Sequence, residues 1–485
     1  MTKKFTESIF ILIILNLLVK PFYIFAIDRN IQNQVGAEQY GLYFSLLSFS
    51  LIFNIVSDLG ITNFNNQNIA QNHDQLSIQV GNLIPLKIVL GGIYCIVTFI
   101  IALTIGYSNQ QFYLLIFLII NQLIVSYTLY LRSNISGLQM FNTDSLISVI
   151  DKLLLIIICS FLLWGNFSKP FKIEWFVYAQ SISYIITLII SLYVVYKKTS
   201  NLKLKLHLQF SIETLKKSYP FALLIFLMVV YTRIDVVMLE RLLPNGKIQA
   251  GIYAQAFRMI DAMAMFSYLF ASILLPLFAK IIKDQKSLIE ILSHSFGMLF
   301  IPSIGLISAL LIYSNEFMGL LYSQHIQESA IVMQFLVIGF GGICLSYIYG
   351  TLLTASGNLK LLNQIAFVGF ILNIFLNMLL IPKYGVKGAA ISSMVTQLAM
   401  GLSQVSISHK IFDIYVNYRI VGKYCLLMVL ILGFSILLHT IAVNWYLSIL
   451  AIPTLSIVLG FFFGLLRIDN FYHLFISKLN QKMND

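Results

Sequence analysis

The sequence predicts an all-α membrane protein with about fourteen transmembrane helices. Of the 485 residues, 59% are hydrophobic and only 10% are charged, whereas soluble domains are roughly 45–50% apolar. Apolar stretches of about 20 residues recur along almost the whole chain, and this is the length at which a helix crosses a hydrocarbon core about 30 Å thick. We therefore expect an integral membrane protein.

The predicted spans are joined by short connections. The first span follows Lys3 and Lys4 and stays largely apolar through Ile27, without the small-residue cleavage pattern of a signal peptide, so we treat it as a helix. The longest connections, 61–80 and 197–217, are too short for a folded soluble domain. We expect the function to reside in the helical bundle. The predicted spans are 7–27, 39–60, 81–106, 111–130, 145–166, 174–196, 218–239, 249–277, 291–314, 329–353, 361–382, 388–408, 420–440 and 446–466.

The distribution of basic residues predicts the orientation. The formal net charge is +12, and most Lys and Arg fall on one side of the membrane when the N-terminus is placed inside, as the positive-inside rule requires. Trp164, Trp175 and Trp445 then all lie at the outer interface. An even number of spans places both termini in the cytoplasm. Because topology explains the positive charge, we expect membrane lipids and no nucleic acid as partners.

Two short motifs indicate an internal repeat. Gln39-x-Gly41-Leu42-Tyr43 opens the second span, and Gln249-x-Gly251-Ile252-Tyr253 opens the eighth, 210 residues later. A Ser-Gly pair recurs at a similar offset, at Ser136 and Ser356. This pattern is typical of transporters made of two lobes. We predict a first lobe over 1–200 with spans one to six, a second over 201–410 with spans seven to twelve, and spans thirteen and fourteen with a cytoplasmic tail over 411–485.

Charged residues inside the spans are the candidate functional residues, because an ion exposed to lipid costs at least a few kcal/mol. Lys20 lies deep in the first span and precedes Pro21, so we expect it in a cavity. Lys87 is expected to reach the inner headgroups by snorkelling, and Lys152 to pair with the adjacent Asp151.

Helical spacing groups several of these residues into polar stripes. Arg258 and Asp261 are three residues apart and share a face, which also makes a structural pair possible. Arg233 and Asp235 are two residues apart and leave opposite sides of their helix, so we assign Arg233 to the lumen and Asp235 to a helix contact. The stripes are Asn16, Lys20 and Tyr23; Ser50, Asn54 and Asp58; and Gln255, Arg258 and Asp261.

The sequence shows little sign of an enzyme. The seven histidines form no HExxH motif, and no Walker A sequence is present. A membrane glycosyltransferase or polymerase would need close carboxylates on an outer loop, but the first outer loop offers only Asp28 and Glu38. We expect neither a metal nor a cofactor. Transport driven by an H⁺ or Na⁺ gradient, with Asp261 as the coupling residue, remains open.

Three stretches resemble the polysaccharide-export branch of the MOP flippase superfamily, which includes the Wzx O-antigen flippases. They are EQYGLYFSLLSFSLIFNIVSDLGI (38–61), SYPFALLIFLMVVYTRIDVVMLERLLPNGKIQAGIYAQAFRM (218–259) and PKYGVKGAAISSMVTQ (382–397). The resemblance implies two six-helix lobes around a central cavity, with two further helices at the C-terminal end.

The same resemblance implies a function. Members move undecaprenyl-diphosphate-linked repeat units of O-antigen, capsule or exopolysaccharide across the bacterial inner membrane by alternating access, and use cavity cations with acidic companions. Lys20, Arg233 and Arg258, with Asp261, occupy comparable helices here. From their positions in the spans we add Asp235 and Asp58 as charge partners and Asn16, Tyr23, Asn54 and Gln255 as polar lining. The polymerase and chain-length proteins of the same pathway are possible partners. A MATE-like exporter and a lipid II flippase are the alternatives.

Overall fold

The computed structural model describes residues 15–165, 170–199 and 202–466, and the regular elements of these residues are helices. The chain divides into two compact units between Ala254 and Gln255. The helices of the first unit are α1 (Leu15–Ser57), α2 (Ile61–Gln71), α3 (Leu76–Ile105), α4 (Asn109–Gly137), α5 (Phe141–Trp164), α6 (Ile173–Tyr196) and α7 (Leu208–Leu242).

Helix α8 (Gly246–Ile281) begins in the first unit and continues into the second. The other helices of the second unit are α9 (Gln285–Ile312), α10 (Ser314–Leu321), α11 (Ile326–Ala355), α12 (Leu359–Tyr384), α13 (Val386–Ile411), α14 (Tyr418–Thr440) and α15 (Trp445–Phe462). The unit boundary reflects packing, whereas the predicted lobe boundary at 200/201 reflects the sequence repeat, so the lobe assignment stays a prediction.

Twelve helices of the described residues are long and apolar enough to cross a membrane. The all-α membrane class is confirmed, but the count of fourteen is not. One difference is α13, which has 26 residues but many Ser, Thr and Gln side chains that lower its hydropathy. The other is α1, whose 43 residues include most of the first two predicted spans; residues 7–14 of the first span lie outside the described residues.

Helix α1 is folded back on itself. Gly36 has φ 79° and ψ 167°, a conformation outside the helical region that glycine adopts without steric cost. The hydroxyl of Tyr40 donates to the carboxylate of Asp28 at 2.8 Å. In a straight helix these residues would be about 18 Å apart, too far for this bond. The chain therefore reverses at Gly36, and the two halves of α1 lie side by side.

The two repeat motifs pack directly against each other within the first unit. A Cβ atom on Gly41 would lie 1.9 Å from the carbonyl oxygen of Lys247, and one on Gly251 would lie 2.0 Å from that of Ala37. The two contacts are equivalent, because Gly41 and Gly251 are 210 residues apart, and so are Ala37 and Lys247. Small residues allow such backbone contact between membrane helices. The two motifs thus meet in a symmetric crossing of α1 and the start of α8.

In the second unit, α11 and α13 also make a close backbone contact at glycines. A Cβ atom on Gly401 would lie 2.5 Å from the carbonyl oxygen of Gly342. In another part of this unit, α9 packs on α14 and α15 through an apolar cluster that includes Ile301, Leu427 and Ile452. Close backbone contact thus brings α13 against α11.

The crossing gives a testable prediction. Gly41→Ala places a methyl group against the Lys247 backbone, and overpacking of this kind costs roughly 1–3 kcal/mol. We expect a lower thermal unfolding midpoint of the purified protein. Gly92→Ala is the control, because a Cβ atom on Gly92 meets no atom within 4 Å. Equal midpoints for the two variants would contradict the close contact.

Candidate functional site

A cluster of charged side chains lies where α1, α4 and α5 meet. Lys20 interacts electrostatically with Lys152, Asp151 and Arg132. Lys152 binds the adjacent Asp151 at 3.2 Å, and Arg132 Nε binds Asp144 at 2.7 Å. We call these five residues the Lys20–Lys152 cluster. Three cations against two carboxylates leave one positive charge in excess.

Aromatic rings line the cluster. The Lys152 ammonium lies 5.2 Å from the centroid of the Tyr23 ring and 5.3 Å from that of Tyr184. These are distances at which a cation is attracted to the ring face. Tyr184 lies on α6, so its ring brings a fourth helix to the cluster. The local pair with Asp151 was predicted, but the two rings around Lys152 were not.

The cluster is accessible as well as charged. Lys20 is half-buried, and the side chains of Lys152 and Arg132 are each 22% exposed. Asn16, one turn before Lys20, donates to the Ser148 hydroxyl at 3.1 Å and so ties α1 to α5. The arrangement can hold an anionic group, because it has more positive charge than its own carboxylates neutralise and the side chains are not sealed off.

A second ion pair, with a fully buried cation, lies inside the first unit. The Lys87 ammonium lies 2.5 Å from Asp58 Oδ1, and Lys87 is 0% exposed. It also donates to the Ser57 carbonyl and the Ser126 hydroxyl, both at 3.3 Å. The expectation that Lys87 reaches the headgroups is therefore wrong. The carboxylate of Asp58, 29 residues away in sequence, removes the reason for snorkelling.

Asn54 belongs to the same network. Its side chain donates to Gln122 Oε1 at 3.4 Å and accepts from the Ser57 hydroxyl at 2.8 Å. The Thr62 hydroxyl donates to Asp58, and the Thr62 amide does so at 3.2 Å. These groups compensate the charge of Asp58 and Lys87 with partners inside the protein. We interpret this network as a set of structural contacts that stabilise the end of α1.

Arg233 and Asp235 differ in burial as their spacing predicts. Asp235 is 0% exposed and accepts a hydrogen bond of 2.8 Å from the Tyr253 hydroxyl of α8. Arg233 is half-buried. Asp235 thus makes a contact between neighbouring helices, while the assignment of Arg233 to the lumen stays a prediction.

The predicted stripe of α8 lies in the second unit. Arg258 Nη1 binds Asp261 Oδ2 at 3.1 Å, with side chains that are 13% and 24% exposed. Gln255 is buried and donates to the Gln324 carbonyl at 3.4 Å, so it fixes the loop between α10 and α11. In the pair of Arg258 and Asp261 both side chains keep partial access, whereas in the pair of Lys87 and Asp58 only the carboxylate does, with an exposure of 21%.

A further polar contact joins α4 to α7 at the predicted outer side. Gln111 Nε2 donates to Glu240 Oε1 at 2.8 Å, and the Arg241 guanidinium lies 4.1 Å from the centroid of the Tyr107 ring. Burial, and to a lesser degree the Glu240 carboxylate, raises the pKa of Tyr107, so its hydroxyl stays protonated. Sequence reasoning missed this contact because its partners are about 130 residues apart.

The part of the chain that the structure describes contains no group of three or more His, Cys, Asp or Glu side chains that could hold a metal ion.

Comparisons with known proteins identify the class of the fold. A lipid II flippase, MurJ, in an inward closed conformation covers 98% of this chain and 100% of its own at a TM-score of 0.72, with 16% identity. An inward-facing multidrug resistance MATE transporter of the MOP superfamily covers 80% of this chain and 94% of its own at a TM-score of 0.62, with 11% identity. The protein is a multi-pass membrane protein with the MOP superfamily fold.

The family follows from sequence similarity. A family described as polysaccharide biosynthesis protein matches residues 5–282, which is more than half of the chain, so the chain belongs to this family. The Staphylococcus aureus capsular polysaccharide biosynthesis protein CapF is 27% identical over 184 residues, or 37% of this chain. The match spans 46% of CapF, less than half of that relative's length.

The Lys87–Asp58 pair gives a prediction about stability. Lys87→Met leaves a largely buried carboxylate without its cation, which costs roughly 3 kcal/mol, at the lower end of the usual range because Asp58 is 21% exposed. The double variant Lys87→Met/Asp58→Leu removes both charges and should unfold at a higher temperature than Lys87→Met alone. Thermal unfolding of the purified proteins measures both effects. A double variant less stable than Lys87→Met would show that the two charges do not compensate each other.

Proposed function

We propose that this protein is a flippase that translocates diphosphate-linked oligosaccharide units across the membrane. The observation that carries the proposal is the Lys20–Lys152 cluster, which holds an excess positive charge within membrane-crossing helices. A lipid diphosphate carries negative charge that cannot enter hydrocarbon without fixed cations. Lys20 and Lys152 supply point charges, and the planar guanidinium of Arg132 can meet two phosphate oxygens at once.

The acidic members of the cluster support release as well as binding. Lys152 and Arg132 each have a carboxylate partner, Asp151 and Asp144, when no ligand is present. An arriving phosphate competes with these carboxylates, and departure of the phosphate restores the ion pairs. A carrier needs such balanced affinity because a site that binds too tightly cannot let its substrate leave.

Two further groups are candidate contacts for the substrate. One is the Arg258–Asp261 pair in the second unit, and the other is Arg233 in the seventh predicted span. They would meet the diphosphate or acidic sugars of the glycan during alternating access. The outer contact of Gln111 with Glu240 would then have to break when the site opens outward. Both of its partners are side chains near helix ends, which can separate without unfolding a helix.

Family membership supports a polysaccharide precursor as the substrate. The matching family and CapF are both described as polysaccharide biosynthesis proteins, whereas MurJ is described as a lipid II flippase. Lipid II shares the diphosphate head, so the cluster alone fits both substrates. A MATE-like exporter would be expected to line its site with acids, and the excess cation here argues against it.

The proposal includes a location and partners. We place the protein in the bacterial inner membrane, with both termini in the cytoplasm and its substrate an undecaprenyl-diphosphate-linked unit of O-antigen, capsule or exopolysaccharide. The polymerase and chain-length proteins of the same pathway are the proposed partners. An H⁺ or Na⁺ gradient could drive the cycle, with Asp261 as the coupling carboxylate.

Removal of single cations from the Lys20–Lys152 cluster tests the proposed binding site. Lys20→Ala and Lys152→Ala each remove a charge-assisted contact, which is worth roughly 1.5–3 kcal/mol, so export should fall about tenfold or more. Lys20→Arg keeps the charge and should retain most of the activity. Lys280→Ala, an exposed lysine outside the cluster, is the control.

The measurement is leaflet-resolved accumulation of lipid-linked oligosaccharide in a strain that lacks the chromosomal gene and expresses each variant. Complete units trapped on the inner leaflet, at normal protein abundance, are the expected result. Incomplete units would indicate sugar transfer instead of translocation. Accumulated lipid II would select the alternative flippase, and an unchanged lipid pool would favour a MATE-like exporter.

Removal of the Asp261 carboxylate tests whether this residue couples transport to an ion gradient. Asp261→Asn keeps the shape of the side chain but removes its negative charge, so Arg258 loses its ionic partner. If Asp261 couples transport to a gradient, the variant should export slowly and should no longer respond when the proton or sodium gradient is collapsed. A variant that still responds to both gradients as the wild type does would exclude Asp261 as the coupling residue.

A further inference from the structure

The first unit has an apolar groove on its surface that belongs to none of the charged clusters. Its volume is about 300 Å³, at the lower end of the roughly 300–1,000 Å³ of ligand pockets. Side chains of α3, α4 and α6 and of the chain that follows α6 form its walls. The lining residues are Val80, Ile84, Leu131, Leu192, Tyr193, Val195, Tyr196, Thr199 and Leu202.

The groove is shaped for a hydrocarbon chain. Val80 and Val195 are 1% and 3% exposed and form the buried wall, while Leu192, Tyr193 and Tyr196 are exposed at the rim. Among the lining side chains, the polar atoms are the hydroxyls of the two tyrosines and of Thr199, whose hydroxyl donates to the Tyr196 carbonyl at 2.9 Å. The interior therefore offers dispersion contacts and little hydrogen bonding.

Four exposed lysines lie in or next to the chain segment that lines the groove. Lys197 and Lys198 follow directly after α6, and both are exposed. The Lys197 ammonium lies 4.6 Å from the centroid of the Tyr193 ring, which lines the groove. Lys203 and Lys205 follow a few residues later, also exposed. Residues 192–208 contain no Asp or Glu, so these four lysines have no acidic neighbour within the segment.

The segment after α6 is held along α3. The Lys205 amide donates to the Gly81 carbonyl at 3.1 Å, and a Cβ atom on Gly81 would lie 2.5 Å from the Lys203 carbonyl oxygen. Leucine alternates with a basic residue from Leu202 to Leu208. Leu204, Leu206 and Leu208 are 56%, 48% and 69% exposed. This pattern is typical of chain at a membrane surface, where leucines enter the acyl region and lysines reach the phosphates.

We infer that this groove binds an anionic phospholipid of the cytoplasmic leaflet as a resident ligand. One acyl chain occupies the groove, and the phosphate lies among Lys197, Lys198, Lys203 and Lys205. Neither part of the site is sufficient alone, because the groove has no charge and the lysines have no cavity. The bound lipid would fasten the connection between α6 and α7 to α3. This inference is independent of the transported substrate.

The test uses the purified full-length protein in detergent. The thermal unfolding midpoint is measured while dioleoyl phosphatidylglycerol is added, with dioleoyl phosphatidylcholine as the neutral lipid of equal chain length. We expect phosphatidylglycerol to raise the midpoint and phosphatidylcholine to have little effect. A variant with all four lysines changed to Gln should need at least about tenfold more phosphatidylglycerol for the same rise in the midpoint. Each lysine near an anionic headgroup contributes to the binding free energy, so loss of all four weakens binding.

Two further variants separate the site from general charge effects. The first changes four exposed lysines elsewhere on the predicted inner side to Gln and should respond as the wild type does; these are Lys216, Lys217, Lys280 and Lys283. The second, Thr199→Trp, fills the groove and keeps every lysine, and it should also weaken the response. It remains informative if the four-lysine variant does not fold.

Three results would overturn the inference. The control variant with four distant substitutions could lose the response to phosphatidylglycerol to the same extent as the four-lysine variant. The response would then depend on the net charge of the protein and not on this site. The four-lysine and Thr199→Trp variants could both respond normally. Glycerol phosphate without acyl chains could raise the midpoint as much as the lipid does, which would leave no role for the groove.

Discussion

Hydrocarbon solvates neither ions nor free peptide groups, and this constraint governs both the helices of this protein and the positions of its charges. Charges that serve the structure have partners inside the protein: Lys87 forms an ion pair with Asp58 at 2.5 Å, and Asp235 accepts a hydrogen bond from Tyr253. The Lys20–Lys152 cluster departs from this pattern, because its cations outnumber its carboxylates and its side chains stay partly accessible. The same constraint that makes a matched ion pair a structural element makes an unmatched cation a candidate for binding an anion.

The close crossing of the repeat motifs connects this charge pattern to the fold. Gly41 and Gly251 allow α1 and α8 to meet backbone to backbone. On the same two helices, the tyrosines that follow these glycines reach buried partners: Tyr43 accepts from Gln180, and Tyr253 donates to Asp235. The glycine brings the helices together, and the tyrosine two residues later fixes a neighbouring helix. Each motif thus combines a packing position with a hydrogen-bonding position.

The sequence predicted the helical membrane class and most helix positions, because hydropathy is a local property. It also predicted that Arg258 and Asp261 share a helix face, since this follows from spacing along one helix, but it did not identify Tyr253 as the partner of Asp235. It could not predict that Lys87 binds Asp58 or that Lys152 lies between Tyr23 and Tyr184. Periodicity shows which face of a helix is polar but not which helices are neighbours, and Lys20 and Lys152 are 132 residues apart in the sequence. The sequence predicted that the chain reverses between the spans 7–27 and 39–60, but it did not identify Gly36 as the point of reversal.

Translocation by the purified protein tests the central claim most directly. The protein would be reconstituted into vesicles that carry an undecaprenyl-diphosphate-linked oligosaccharide in one leaflet, and the appearance of the glycan in the other leaflet would be followed with a lectin or a glycosidase that cannot cross the membrane. The account predicts transfer by the wild type and by Lys20→Arg, and strongly reduced transfer when Lys20 and Lys152 are both changed to Ala. Transfer by the double alanine variant at the wild-type rate would contradict the assignment of the Lys20–Lys152 cluster as the site that binds the diphosphate.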